Sequence, residues 1–315
     1  MKITTLIPAY KPKYLIELLT ALRHQTVKPA RILFSDDSPG LEFTRVLTSE
    51  PIKSVIADLN VEVIEGPHTG GWSNFLHLLK AWNGATELFH FLLDDDIIYP
   101  SFYERHLFAH TSTDTLCSVS RRWTALESGQ PLRDLNMPDA VANHPHRLLS
   151  LPADALFSTT VARSSNWLGE YSNAVFRAEF APEVHATALD GISYIGLEDL
   201  GAFLCASLHK PVAYLNENLG YFRVNAEQHS AQPMGRAMKM AHLAYLALAI
   251  AARRVGRLPG ADAAQALATL CPIIAQRYGG EADMAEFCAL MPALGQGVEG
   301  AEAQFLAMWS VRSKL

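Results

Sequence analysis

The opening of the chain constrains its fold more than any other stretch. Lys2 to Ala9 is a run of β-branched and apolar residues closed by Pro8, and it reads as a strand. Tyr14 to His24 follows with Leu15, Leu18, Leu19 and Leu22 at helical spacing, and Ala30 to Ser35 is a second short strand that ends in Asp36-Asp37-Ser38-Pro39-Gly40. Strand, helix and strand joined by short links make a βαβ unit, with a right-handed crossover and parallel strands. In open α/β sheets ligands gather beyond the carboxyl ends of the strands, which puts Pro8-Ala9-Tyr10 and Asp36-Asp37 on one rim. The rhythm continues with a helical segment from Phe43 to Ala57, a third strand at Val61 to Ile64, and the loop Gly66-Pro67-His68-Thr69-Gly70-Gly71 before a helix from Asn74 to Trp82. Backbone amides at that helix start are able to hold an anion. The plainer reading is a tight connection, for which glycine is the default residue.

The fourth strand carries the chemistry. Leu88 to Leu93 is mostly apolar, about the right length for a strand covered on both faces, and it runs straight into Asp94-Asp95-Asp96 before Pro100 stops the pattern. Adjacent carboxylates repel one another, so either water solvates them as an acidic turn or a cation holds them. Hard oxygen ligands suit Mg2+ or Mn2+, which bind one or two carboxylates together with substrate phosphates. The buried strand in front favours the cation.

The order of these features resembles the family 2 glycosyltransferases of the GT-A fold. In that family a strand ending Pro-x-Tyr and a turn Asp-Asp-x-Ser cradle the nucleotide of a sugar donor; Pro8, Tyr10, Asp36 and Asp37 match, and Ser38-Pro39 matches less closely. Leu22 to Gln25-Thr26 resembles the family's Ser-Leu-x-x-Gln-Thr, and Gly70 to Asn74 resembles its glycine loop, so Gly71 and Asn74 join the expected nucleotide-sugar contacts. Asp94-Asp95-Asp96 resembles the DxD element, whose carboxylates hold a divalent metal and touch the donor ribose. The resemblance implies Asp94 and Asp96 as metal ligands and Asp94 and Asp95 as donor contacts, while three acids in a row leave open whether Asp94 and Asp96, or Asp95, reach the metal.

An acceptor half is expected next. Residues 111–152 are rich in Arg, His, Pro and Asn, and Arg121-Arg122-Trp123 and His144-Pro145-His146-Arg147 read as solvated loop. Ser165 to Arg177 is a polar, aromatic loop running into a short strand, and it resembles the family's segment beneath the acceptor. Trp167 and Tyr171 there could stack on a sugar face, although the commoner use of such rings is core. Glu198-Asp199 opens a helix whose Leu200, Phe203, Leu204 and Leu208 make an apolar stripe. Acids favour a first helical turn simply as caps. The resemblance to the family's Glu-Asp motif implies more: Asp199 as catalytic base, with Glu198 as acceptor contact or orienting partner. After a strand at Val212 to Leu215, Tyr221 to Ser230 is similar to the family's Tyr-Arg-x-His stretch, which implies His229 as a further metal ligand and sets Asn225 where other members have His.

From Met234 onward the composition turns to Ala-rich helix: Ala237 to Arg254, Asp262 to Tyr278, Ala282 to Leu290 and Ala301 to Val311. These read as an appendage packed on the catalytic domain or as a homodimer interface. The first is nearly apolar around its circumference yet too short to cross a bilayer. Arg253, Arg254 and Arg257 either touch anionic lipid or snorkel at the surface. With 315 residues, 49% hydrophobic and 18% charged, the chain is able to bury a large core, and a net charge of -6 gives no footprint for nucleic acid. The N-terminus is broken too early by Pro8 for a signal peptide, and Cys117, Cys205, Cys271 and Cys288 are spaced as reduced core thiols. Both features point to a cytoplasmic protein, with peripheral contact at the inner membrane face as the furthest reach.

The expectation is therefore an α/β, GT-A-type mixed and mostly parallel sheet flanked by helices. Residues 1–233 form the catalytic domain, split into a nucleotide-sugar half (1–110) and an acceptor half (111–233), and 234–315 form the helical region. The function that the resemblance implies is Mn2+- or Mg2+-dependent, inverting transfer from a nucleotide-sugar donor, a UDP- or dTDP-sugar, to a glycan or glycolipid hydroxyl. A sugar nucleotidyltransferase would carry a long Gly-rich basic loop after its first strand, where this chain has Pro8-Ala9-Tyr10-Lys11-Pro12. A noncatalytic carbohydrate-binding protein on a degenerate transferase fold is opposed by the joint presence of Asp37, the acidic triple and Glu198-Asp199.

Overall fold

β1 (Ile3–Ala9) is buried at every position, and a ten-stranded mixed sheet extends on both sides of it. The computed structural model describes residues 1–224 and 232–314. α1 (Leu15–Arg23) buries the four leucines of its stripe. β2 (Arg31–Asp36) then returns parallel to β1, in a register that sets Ala9 opposite Asp36. The helix expected from Phe43 to Ala57 is two, α2 (Glu42–Leu47) and α3 (Glu50–Ile56), separated at Thr48-Ser49. β3 (Val61–Glu65) adds parallel to β2. α4 (Gly71–Trp82) starts at Gly71 rather than Asn74, because Gly70 takes φ +119°, a conformation open to glycine and to few other residues.

β4 (Leu88–Phe91) lies parallel to β1 on its other side with every residue buried, as the apolar run required. Beyond it come β5 (Ile97–Ile98), α5 (Phe102–Ser112) and β6 (Cys117–Ala125). The region read as solvated loop thus contains a sheet strand. Arg121 and Arg122 hid it, since their charges suggested solvent; Arg121 pairs with Asp134 and Arg122 with Glu170. β7 (Pro131–Asp134), α6 (Asp139–Ala142), β8 (Leu148–Leu151) and α7 (Ala153–Thr159) follow, then β9 (Ala174–Arg177) and α8 (Ala181–Ala186). β10 (Ala188–Leu189) and β11 (Ile192–Ser193) form a small hairpin of their own before α9 (Glu198–His209). The strand expected to end at Leu215 continues to Arg223 as β12 (Val212–Arg223). Its polar run Asn216-Glu217-Asn218 falls where the register with β6 shifts, so the pattern in sequence breaks while the strand does not. The sheet order is β3-β2-β1-β4-β9-β6-β12-β5, with β7 on β6 and β8 on β12.

The chain divides into two compact units. One holds the sheet: Met1–Ser150, Leu168–His185 and His209–Val224. The other gathers Leu151–Trp167, Ala186–Leu208 and the described C-terminal residues. The C-terminal helices α10 (Arg236–Arg254), α11 (Gly260–Tyr278), α12 (Ala285–Gly295) and α13 (Ala301–Arg312) therefore build their core with two segments from the middle of the chain. Trp309 on α13 donates its indole hydrogen to the Ser193 carbonyl at 2.7 Å. Gly201 lets α9 lie flat on Tyr194, where a Cβ would come within 2.2 Å of the ring. Arg253 and Arg254 face Glu302, and Arg257 faces Asp154, so this basic cluster is matched by acids within its own unit. Among the described residues no helix is long and apolar enough to cross a membrane, and all four cysteines are free.

Candidate active site

β1, β2 and β4 run parallel, so their carboxyl ends meet at one rim. After β4 the chain turns and Asp94 reaches back to the end of β1, where its Oδ2 accepts the amide hydrogens of Tyr10 at 2.7 Å and Lys11 at 2.9 Å. Burial pushes this carboxyl up to about 7, against the pull of the two amides. Pro8 is buried in the strand, while the Tyr10 ring is 53% exposed.

The two acids at the end of β2 have separate fates. Asp36 is fully buried. Its Oδ1 accepts from the Ser38 amide and hydroxyl at 2.9 and 2.5 Å, and its Oδ2 from the Thr44 amide and hydroxyl at 2.8 and 2.6 Å. Burial opposes its charge, yet these bonds hold its carboxyl below the usual range. A carboxylate engaged in this way fastens the turn to α2 and is not free for a donor, which corrects the expectation for Asp36. Asp37 remains at the rim. Its amide donates to the Ala9 carbonyl at 2.9 Å, and its Oδ1 accepts the His68 amide at 2.5 Å.

Gly66 packs directly against Asp37. A Cβ there would lie 2.6 Å from Asp37 Oδ1 and 3.0 Å from the Asp36 carbonyl oxygen. Gly66→Ala is therefore expected to displace the Asp37 carboxylate, costing about 1–3 kcal/mol of stability as an overpacked site does. Thermal melting reads the cost. Asn74 is 2% exposed and donates through Nδ2 to the Ser35 carbonyl at 3.1 Å, anchoring α4 to β2, while its Oδ1 has no hydrogen-bond partner among the described residues. Space is open around Gly70 and Gly71, and no side chain caps the first turn of α4.

Asp96 sits deeper than its neighbours at 1% exposure. Its Oδ1 accepts the Arg223 amide at 3.2 Å, and its Oδ2 is buried with no hydrogen-bond partner among the described residues. Burial, and then the Asp95 carboxylate, raise its carboxyl well above the usual range; the Ser172 hydroxyl and the Arg122 guanidinium pull the other way. Arg223 is the residue that sequence reasoning missed. Its side chain is fully buried, stacked 4.0 Å over the Tyr14 ring and paired with Glu17 at 2.7 Å. Its Nε donates to the Asp95 carbonyl at 2.9 Å and its Nη1 to that of Glu127, so a single guanidinium fixes the main chain of the acidic turn. The resemblance had picked out Tyr221-Phe222-Arg223 only as a flank of His229.

Glu198 and Asp199 open α9 in the second unit, both half-buried. Asp199 Oδ1 accepts the Leu200 amide at 2.6 Å, and the Tyr245 hydroxyl is kept from ionising by burial and by the Asp199 carboxylate. Burial also raises the Glu198 carboxyl. Trp167 is 3% exposed, with its indole nitrogen donating to the Thr159 hydroxyl at 3.1 Å, and Tyr171 is 5% exposed among Trp72, Phe75, Phe91 and Phe176. Neither has a ring face left for a sugar to stack on, which corrects both as acceptor platforms: their apolar area serves the core. His229, like Asn225, lies outside the described residues.

No family model matches the sequence, and no curated protein matches it either. Solved structures do. TarS of S. aureus, a family 2 glycosyltransferase of the GT-A fold, superposes with a TM-score of 0.57 at 15% identity over 88% of this chain. This chain has the GT-A fold. It spans 44% of that TarS chain. Against TarS 1–349 in complex with UDP-GlcNAc the TM-score is 0.54 at 14% identity, covering 99% of this chain and 92% of that one. The complex of TarS 1–349 with UDP gives 0.54 at 13% identity, covering 97% and 91%. The rim of the GT-A sheet is where Tyr10, Asp37 and Asp94 converge.

Proposed function

We propose that this protein transfers a sugar from a nucleotide-sugar donor, in first place a UDP-sugar, to a hydroxyl of a glycan or glycolipid, with inversion at the anomeric carbon. The observation that carries the reading is the pair of bonds from Asp94 to the Tyr10 and Lys11 amides, which joins the acidic triple to the end of β1 beside Asp37. The GT-A fold and the UDP and UDP-GlcNAc complexes of TarS support the choice of donor.

The acids suit a divalent cation. Asp96 Oδ2 is a buried carboxylate oxygen without a hydrogen bond among the described residues, and burial raises the carboxyls of both Asp94 and Asp96, as in a site short of positive charge. Among the described residues no group of three or more His, Cys, Asp or Glu side chains is placed to hold a metal ion. Mg2+ and Mn2+ keep waters and phosphate oxygens as ligands and use only one or two carboxylates. Asp94 and Asp96 would hold the ion, with Asp95 beside them. When bound, it supplies Lewis-acid neutralisation of the charge that grows on the departing nucleoside diphosphate. Asp37 and the exposed Tyr10 ring would take the nucleoside, and the open amides of α4 face negative charge well. Asp199 takes the proton of the acceptor hydroxyl as it attacks, oriented with Glu198.

Calorimetric titration with UDP, dTDP, GDP and CMP, each with Mn2+ and with chelator, tests the reading. The expected result is metal-dependent binding of UDP that Asp94→Ala/Asp96→Ala abolishes. A protein that binds none of these nucleotides in either condition is not a nucleotide-sugar transferase.

A further inference from the structure

His90 is the oddity of β4, an imidazole in the middle of a strand that is otherwise apolar and wholly buried. Its Nε2 lies 3.0 Å from the Ser172 carbonyl oxygen, which only accepts, so Nε2 carries the proton. Nδ1 is then bare and accepts the Tyr103 hydroxyl at 3.0 Å; Tyr103 in turn accepts from the Thr5 hydroxyl at 2.5 Å. Burial keeps His90 neutral, with its pKa pushed down to about 3, and keeps Tyr103 protonated. The direction of each hydrogen bond is therefore fixed from β1 through α5 and β4 to Ser172.

Ser172 sits in the 3-10 turn Tyr171–Asn173, held on its flanks by a capping box between Glu170 and Asn173. Its carbonyl is clamped by His90 and its Oγ accepts the Leu93 amide at 3.1 Å, one residue before the acidic triple. A polar network of this kind inside a buried strand is retained at a cost in desolvation unless every member is satisfied, and here each one is.

We propose that Thr5, Tyr103, His90 and Ser172 form a buried relay that fixes Ser172 against the Leu93 amide and so holds the Asp94–Asp96 turn in its cation-binding form. His90 and Ser172 are positioning residues; the inference rests on the divalent-cation reading of the acidic turn. Outer partners of metal ligands are worth about 10–100-fold in metal affinity.

The test is Mn2+ titration of the full chain, with and without UDP, followed by the electron paramagnetic resonance signal of free Mn2+. Ser172→Ala is expected to weaken binding by about 10-fold or more, Ser172→Thr to restore it, and Tyr103→Phe, which removes one hydroxyl from the relay, to weaken it by a smaller factor. Melting in chelator checks that each variant folds, and 15N chemical shifts of His90 are expected to report the Nε2–H tautomer. Wild-type Mn2+ affinity in Ser172→Ala, or an Nδ1–H tautomer, overturns the relay alone. A wild-type protein that takes up no Mn2+ under either condition overturns the cation reading and the relay with it.

Discussion

Replacing Asp199 by Asn is expected to lower sugar transfer by about two to four orders of magnitude, the range over which a positioned general base contributes. The substitution keeps shape and the ability of Oδ1 to accept the Leu200 amide, a contact through which the side chain steadies the first turn of α9. Melting temperature should therefore hardly move. What disappears is a carboxylate able to take a proton, so the loss falls on turnover, and UDP affinity measured by calorimetry stays at its wild-type value. Glu198→Gln separates the two acids. Burial disfavours the Glu198 charge, so if Glu198 orients or contacts the acceptor, the change raises KM for acceptor more than it lowers turnover. A cap-only role for both acids predicts the reverse pattern: lowered stability in each variant with transfer intact in the molecules that remain folded.

The alternation of strand and helix through the first four strands was legible because each element carries its own periodicity, and the rim residues followed from strand ends. Where reading failed, the deciding contacts are ones that local periodicity does not record. Asp36 and Asp37 are equivalent as letters, but the strand alternates its side chains, sending Asp36 inward to Ser38 and Thr44 and leaving Asp37 at the rim. Arg122 reads as a surface residue until Glu170 is folded against it, and Arg223 until Glu17, Asp95 and Glu127 surround it. Burying an arginine depends on partners that local pattern does not record. Trp167 and Tyr171 failed in the opposite sense, since a polar neighbourhood in sequence suggested display while the rings fill the core. The acid pair at Glu198-Asp199 was found by motif, and its helix by the apolar stripe that α9 buries.

Asp96→Asn is expected to abolish transfer and, in the absence of metal, to make the protein more stable at neutral pH. The sign follows from linkage. A carboxyl whose folded-state pKa lies above its unfolded value binds its proton more tightly when folded, so its contribution to stability is fully present below the unfolded pKa and is lost as pH rises through the folded one. For Asp94 that window runs from 3.8 to about 7. At roughly 1.4 kcal/mol per unit, such a shift is worth about 4 kcal/mol. Asp96 is shifted in the same direction, by burial and by Asp95, with one oxygen lacking a hydrogen bond among the described residues. An asparagine has no charge to strand there, and its Oδ1 still accepts the Arg223 amide. A melting temperature above that of the wild type at pH 7.5 in chelator is the expected result. The difference should shrink as pH falls and the wild-type carboxyl takes up its proton in the folded state. Adding Mn2+ at about 100 times its dissociation constant stabilises the wild type by about 2.7 kcal/mol and closes or reverses the gap, because a ligand that binds only the folded state raises its stability in this way. Should Asp96→Asn melt below the wild type in chelator at pH 7.5, the acidic turn is held by its own hydrogen bonds and its charge is not the strained element that a cation would relieve.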